Sequence, residues 1–160
     1  MKKTLSYIGL ILILILGLTS CVKKEDENYA NQTKANTVIT EINQLPTTDA
    51  IELTDEVKIA NVRSLYNALS KEAKALVTNL DKLEALENKL IELKKAKDNQ
   101  DKANVVIELI NKLPAADELT LEGEDKVKEA RTTYEALSEE VKTLVTNLDK
   151  LEALENKLIE

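Results

Sequence analysis

The chain has 160 residues, 22 of them Lys or Arg against 29 Asp or Glu, with a formal net charge of −7, one Cys, and no His, Trp or Phe. An acidic balance of this size argues against nucleic acid as a partner. One cysteine excludes a disulfide within the chain, and a chain without histidine or a cysteine cluster lacks the ligands of the common zinc sites. With only three Gly and two Pro, and a wealth of Leu, Ala, Glu and Lys, the composition reads as all-α.

Residues 1–20 have the layout of a secretory signal peptide: basic Lys2 and Lys3, an apolar run from Ile8 to Leu18, and small residues ahead of Cys21. That run falls short of the roughly 18 apolar residues that mark a spanning helix. Leu18-Thr19-Ser20-Cys21 resembles the lipobox of bacterial lipoproteins. The resemblance implies a diacylglyceryl group on the Cys21 thiol, cleavage just before it, and an extracytoplasmic protein anchored to the bacterial membrane by that lipid. Two acyl chains on one residue meet the two-signal requirement for stable anchoring. An uncleaved signal anchor, or an ordinary secretory signal with a chance cysteine, is the alternative. Loss of Lys2 and Lys3 leaves 20 basic against 29 acidic residues, or −9, which disfavours lying flat on anionic lipid. Residues 21–30 are polar and without period, as a tether would be.

The rest is one unit made twice. A shift of 68 residues lays 31–92 on 99–160 without a gap, with 39 identities in 62 pairs; LVTNLDKLEALENKLIE, Leu76–Glu92, recurs unchanged as Leu144–Glu160. The predicted domains are therefore residues 31–98 and 99–160. In the first, Val38, Ile39, Ile42 and Leu45 share one helical face, and Pro46 stops the helix. A connector follows, with Ile51 and Leu53 folded onto the core. Asp55 is the N-cap of a second helix carrying Ile59, Val62, Tyr66 and Leu69 on one stripe; Gly123, its counterpart, is a weaker cap. Ser70 caps a short piece ending near Asn79, which tolerates a left-handed conformation. A long helix closes the unit, with Leu80, Leu83, Leu86, Leu90 and Leu93 inward. The expected architecture is two tandem three-helix bundles, each with a short extra helix. Because LKKAKDNQDKAN (93–104) has neither Gly nor Pro, one helix polar on all sides would join the two; a flexible break near Asp98-Asn99 is the alternative.

Little here suggests chemistry. Without histidine, and with Cys21 lipidated, no activated nucleophile presents itself. The many carboxylates fall opposite the apolar stripes, where they are solvated rather than paired for acid–base work. Glu25–Glu27 and Glu122–Asp125 lack the spacing of a calcium loop. No enzyme, metal or cofactor is expected. Arg63 and Arg131 sit beside the stripes, and Asp49 and Asp117 recur at the same spacing in the connectors, so structural ion pairs Arg63–Asp49 and Arg131–Asp117 are expected; an anion contact to a ligand is the alternative. Tyr66 and Tyr134 should be core residues with the hydroxyl at the rim.

The pattern IxxLP…D…L…R..Y..LS…K.LVTN…L, present in both units, is similar to the three-helix modules found in tandem in S-layer and other surface proteins of Gram-positive bacteria. The resemblance implies a spacer or accessory role and brings no catalytic residues. The expected function is a membrane-anchored surface lipoprotein serving as a non-catalytic spacer of the cell envelope. The rival is a binding or adhesion protein that grips a host protein, cell-wall polymer or envelope partner through exposed helix faces, with duplication giving avidity. Leu86, Leu154, Ile91 and Ile159, at the stripe edges, are the residues whose exposure separates the two.

Overall fold

A computed structural model describes residues 24–115, 118 and 120–159, with backbone alone at Leu121 and Glu122. Leu18, Thr19, Ser20, Cys21 and Asp117 lie outside the described residues. Those described are all-α: helices joined by turns, with no strand among them. The helices are α1 (24–44), α2 (Glu56–Asn67), α3 (Lys71–Lys74), α4 (Leu80–Asn111), α5 (Leu121–Glu135), α6 (Glu139–Lys142) and α7 (Leu148–Ile159). The chain divides into two compact units, Met1–Leu90 and Ile91–Glu160. The division falls inside α4, eight residues before the boundary expected from the repeat.

In the first unit α1 buries Ala35, Val38, Ile42 and Leu45, while Ile39 turns half outward. It starts earlier than expected. Residues 24–30, read from sequence as tether, are helical and exposed, because an acidic stretch without Gly or Pro extends a helix whose nucleus lies downstream. Pro46 ends it: residue 44 is the last helical position. The connector then places Ile51 in the core and leaves Leu53 half-buried in a short 3-10 turn, Leu53–Asp55. Asp55 stands at the N-cap of α2, yet its carboxylate accepts the Glu52 N–H at 3.0 Å instead of capping α2 itself. Helix α2 buries Ile59 and Val62, and the first part of α4 buries Leu83, Leu86 and Leu90. Each fully buried side chain of this kind contributes roughly 1.5–3 kcal/mol.

The second unit repeats the pattern. Ala103, Val106, Ile110 and Leu113 from α4 and the residues just beyond it, Val127 and Ala130 from α5, Val141 and Val145 around α6, and Leu151 and Leu154 from α7 form one core cluster. Ser138 caps α6 through its Oγ, accepting from Val141 N at 3.4 Å, as Ser70 caps α3 from Ala73 N at 3.1 Å. Gly123 is not the N-cap of α5. Thr120 holds that position, its carbonyl taking the N–H groups of Gly123 at 2.9 Å and Glu124 at 3.1 Å; glycine offers no side-chain oxygen with which to cap.

Helix α4 is a single 32-residue helix with no interruption at Asp98-Asn99. It is also less uniformly polar than its sequence suggests. Asn99 is buried, in step with Ala103, Val106 and Ile110, so the inward stripe continues through a polar residue. Asn99 hydrogen-bonds the Glu140 carboxylate, which Lys95 approaches to 2.9 Å. The counterpart Asn31 accepts from Ser70 Oγ at 2.9 Å.

Candidate functional site

The polar side chains that recur in both units form a seam along the closing helix of each. In the first, Arg63 of α2 makes a forked pair with Glu87 of α4, Nε to Oε1 at 2.6 Å and Nη2 to Oε2 at 2.5 Å. In the second, Arg131 of α5 holds Glu155 of α7 at the same two distances. Of the two expected pairs, Arg63–Asp49 does not form, and the acid of the other, Asp117, lies outside the described residues. Asp49 is exposed in its connector and Arg63 turns to Glu87; Arg131 is committed to Glu155 and, at 3.2 Å, Glu135. The reason is reach. One turn of packed helix brings a glutamate directly opposite the planar guanidinium, and that fork-on-fork geometry is the stronger partner. The Glu87 hydrogen bond raises the Arg63 pKa, and Glu155 does the same for Arg131. Both cations therefore stay charged at any ordinary pH.

Each arginine also lies over a tyrosine ring, Arg63 over Tyr66 at 5.4 Å and Arg131 over Tyr134 at 5.3 Å, with Lys74 and Lys142 over the same rings at 5.5 and 5.6 Å. Both rings are half-buried, flanked by cations from two elements. In the second unit acids join: Lys142 binds Glu139 at 2.9 Å and Glu135 at 3.4 Å. In the first unit Asn67 and Lys71 occupy those acidic positions.

A second set of contacts was not foreseen. Asn79 and Asn147 stand just before α4 and α7 and do not adopt the left-handed cap expected of them, since no described residue other than glycine has positive φ. Asn79 Nδ2 donates to the Ile39 carbonyl at 3.0 Å and Asn43 Oδ1 at 2.9 Å; Asn147 makes the same bonds to Ile107 and Asn111. Lys82 Nζ reaches the carbonyls of Leu45 at 2.7 Å and Asn43 at 3.2 Å, and Lys150 those of Leu113 at 2.7 Å and Asn111 at 3.1 Å. These carbonyls belong to helix ends that have run out of intrahelical donors, and a cation there is favoured by the helix dipole. The repeat does not single them out: in a duplication without gaps every residue keeps its distance from Asn-x-Leu-Pro, and the acceptors are main-chain carbonyls.

Between α5 and α7 lies an open groove of about 540 Å³, lined by Val127, Arg131, Glu155, Asn156, Leu158 and Ile159 among others. A shallower one follows Thr33, Asn36, Thr37, Thr40 and Glu41 along α1. The α1 threonines donate their hydroxyls back to carbonyls one turn earlier, at 2.9–3.1 Å. Of the four stripe-edge residues, Leu86 and Leu154 are buried, whereas Ile91 and Ile159 are 65% and 85% exposed. No group of three Cys, Asp or Glu among the described residues could hold a metal ion, and no described helix is long and apolar enough to cross a membrane.

The carboxylates of the second unit give a pH expectation. Lys142, and then Arg131, hold Glu135 below the usual glutamate range; Lys95, and then Asn99, do the same for Glu140. A carboxylate with a lowered folded pKa stabilises the fold above its unfolded value near 4.3 and loses that contribution as the pH falls through the folded value. The Tm of the second unit should therefore fall on acidification below about pH 4.3, and Glu135→Asn, which copies the acid-free position of the first unit, should make the fall shallower. Equal slopes in calorimetric scans of the two proteins would remove Glu135 from the account.

No family, curated protein or solved structure matches the chain in the comparisons made with it. Fold and site define a duplicated all-α protein whose repeated polar groups pair within each unit.

Proposed function

We propose that this protein is a bacterial surface lipoprotein, anchored outside the cytoplasm by lipid on Cys21, whose two helical units serve as a non-catalytic spacer of the cell envelope, related to the tandem three-helix modules of Gram-positive S-layer and surface proteins. One observation carries the spacer reading. Five pairs that the duplication repeats outside the core, Arg63/Arg131, Tyr66/Tyr134, Asn79/Asn147, Lys82/Lys150 and Glu87/Glu155, make contacts within each unit at matching distances. The exposed face of α1 is only partly repeated: Gln32, Lys34 and Asn36 recur as Gln100, Lys102 and Asn104, whereas Thr33, Thr37, Thr40 and Glu41 are replaced by Asp101, Val105, Glu108 and Leu109. Duplication has kept the contacts that hold a unit together and altered the threonine row that lines the α1 groove.

The binding reading keeps one specific support. Ile91 and Ile159 are exposed in the segment that is identical in both units, so a host protein or cell-wall polymer gripped there would meet the same face twice. A single experiment separates the readings. Cells producing the protein are labelled with a palmitate analogue and fractionated, and the released chain is passed over envelope extract and peptidoglycan fragments. The proposal expects label in the membrane fraction, lost in Cys21→Ser, and no saturable ligand. An unlabelled wild-type chain would defeat the lipoprotein assignment, and a ligand lost in Ile91→Asp/Ile159→Asp would replace spacer by binder.

A further inference from the structure

One sequence in this chain has two receptors. Residues 76–92 and 144–160 are identical, and each copy is held by the same polar contacts: an Arg–Glu fork at 2.6 and 2.5 Å, an Asn amide on an Ile carbonyl at 3.0 Å, and a Lys ammonium on a Leu carbonyl at 2.7 Å. The receptor halves differ, with Ile59 and Val62 in one unit where Val127 and Ala130 stand in the other, yet the contacts repeat. Recognition therefore resides in groups that belong to no particular covalent connection: two main-chain carbonyls at a helix end, one guanidinium and an apolar stripe.

The two copies are not held equally. Leu90 is 7% exposed, but Leu158, the same residue of the same segment, is 37% exposed and borders the groove between α5 and α7. Helix α7 is thus the less enclosed copy. Its link to α6 is the short turn 143–147. A helix with fewer buried contacts opens at lower free energy than the core.

We propose that α7 is an exchangeable helix, and that the α4–α5 receptor of one copy of this chain accepts α7 of a second copy, giving a reciprocal dimer. Every contact broken on opening is remade in the partner, so the exchange costs association entropy and turn strain but no native contact. Mass action then makes it dependent on concentration. The inference stands on the geometry of the second unit and is independent of anchoring or of any envelope role.

Charge reversal tests it with full chains in mild detergent. Arg131→Glu alone sets two acids across the α5–α7 seam, and Glu155→Arg alone sets two cations there. A reciprocal exchange between the two variants restores an Arg–Glu pair at both seams. The expected result is that each variant sediments as a monomer with a lowered Tm, while their mixture sediments at twice the monomer mass with its Tm raised. The cis double variant Arg131→Glu/Glu155→Arg shows whether the reversed pair is tolerated. If it is not, chains without charge changes decide: in a Cys21→Ser background, donor on Asn156→Cys and acceptor on Lys128→Cys of separate chains should give energy transfer that grows with concentration. A mixture that remains monomeric beside a well-folded cis double variant overturns the proposal, as does absent transfer where that variant fails to fold.

Discussion

Leu154→Ala should cost the second unit about 2–5 kcal/mol, the range for truncating a large aliphatic residue in a closed core. Leu154 is almost wholly buried and sits with Leu151, Val127 and Val106 in the cluster built by α4, α5 and α7. The unit has few residues over which to spread the loss: about 70 residues bury only some three-fifths of their unfolded surface, so its stability is a few kcal/mol at most. Amide exchange should report the consequence directly, with protection lost across α5 and α7. Leu86→Ala is the matched experiment in the first unit, because Leu86 is the same residue of the same duplicated segment and is equally buried. Ile159→Ala, at an exposed position of α7, should stay within about 0.5 kcal/mol. If Leu154→Ala were no worse than Ile159→Ala, the core cluster described for this unit would be wrong.

That core was readable in the sequence because burial and helical period are one signal seen twice. Val38, Ile42 and Leu45 recur as Val106, Ile110 and Leu113 at spacings of four and three, and both sets are buried. Pro46 and Ser70 were equally plain, since each acts on its immediate neighbours in the chain. What could not be read were partnerships between side chains on different helices. Arg63 could be placed beside the stripe, but choosing between Asp49 and Glu87 requires the rotation of α2 against α4, which periodicity leaves free by some tens of degrees. The repeat could not break the tie, because Glu87 recurs as faithfully as Asp49. The Asn79 and Lys82 contacts were hidden for a related reason. Their acceptors are main-chain carbonyls of Ile39 and Leu45, and a carbonyl leaves no mark in a sequence. The start of α1 was misjudged on polarity: residues 24–30 have no apolar stripe, yet they lie in a helix that gains its stability from Ala35 onward.

A proline in the middle of α4 would test the continuity of that helix. Ala96 is exposed, three residues before the buried Asn99, so a substitution there acts through the backbone and not through packing. In Ala96→Pro the position loses its N–H bond to the Glu92 carbonyl, and the ring collides with that same carbonyl; the penalty in a helix interior is about 3 kcal/mol or more. Ala96→Gly, which keeps the N–H, should cost only about 1 kcal/mol. If α4 is one helix from Leu80 to Asn111 in solution, the proline variant should lose amide protection over the turn around 93–99, and the Lys95–Glu140 and Asn99–Glu140 contacts with it. The buried leucines at 83 and 86 and the cluster around Val106 lie at least two turns away on either side, so their amides should stay protected. A break already present near Asp98-Asn99 predicts the opposite: weak protection there in the unaltered protein, and a proline that costs almost nothing. The ratio of the proline to the glycine effect decides between them, because a frayed segment pays neither penalty while an intact helix pays both in proportion.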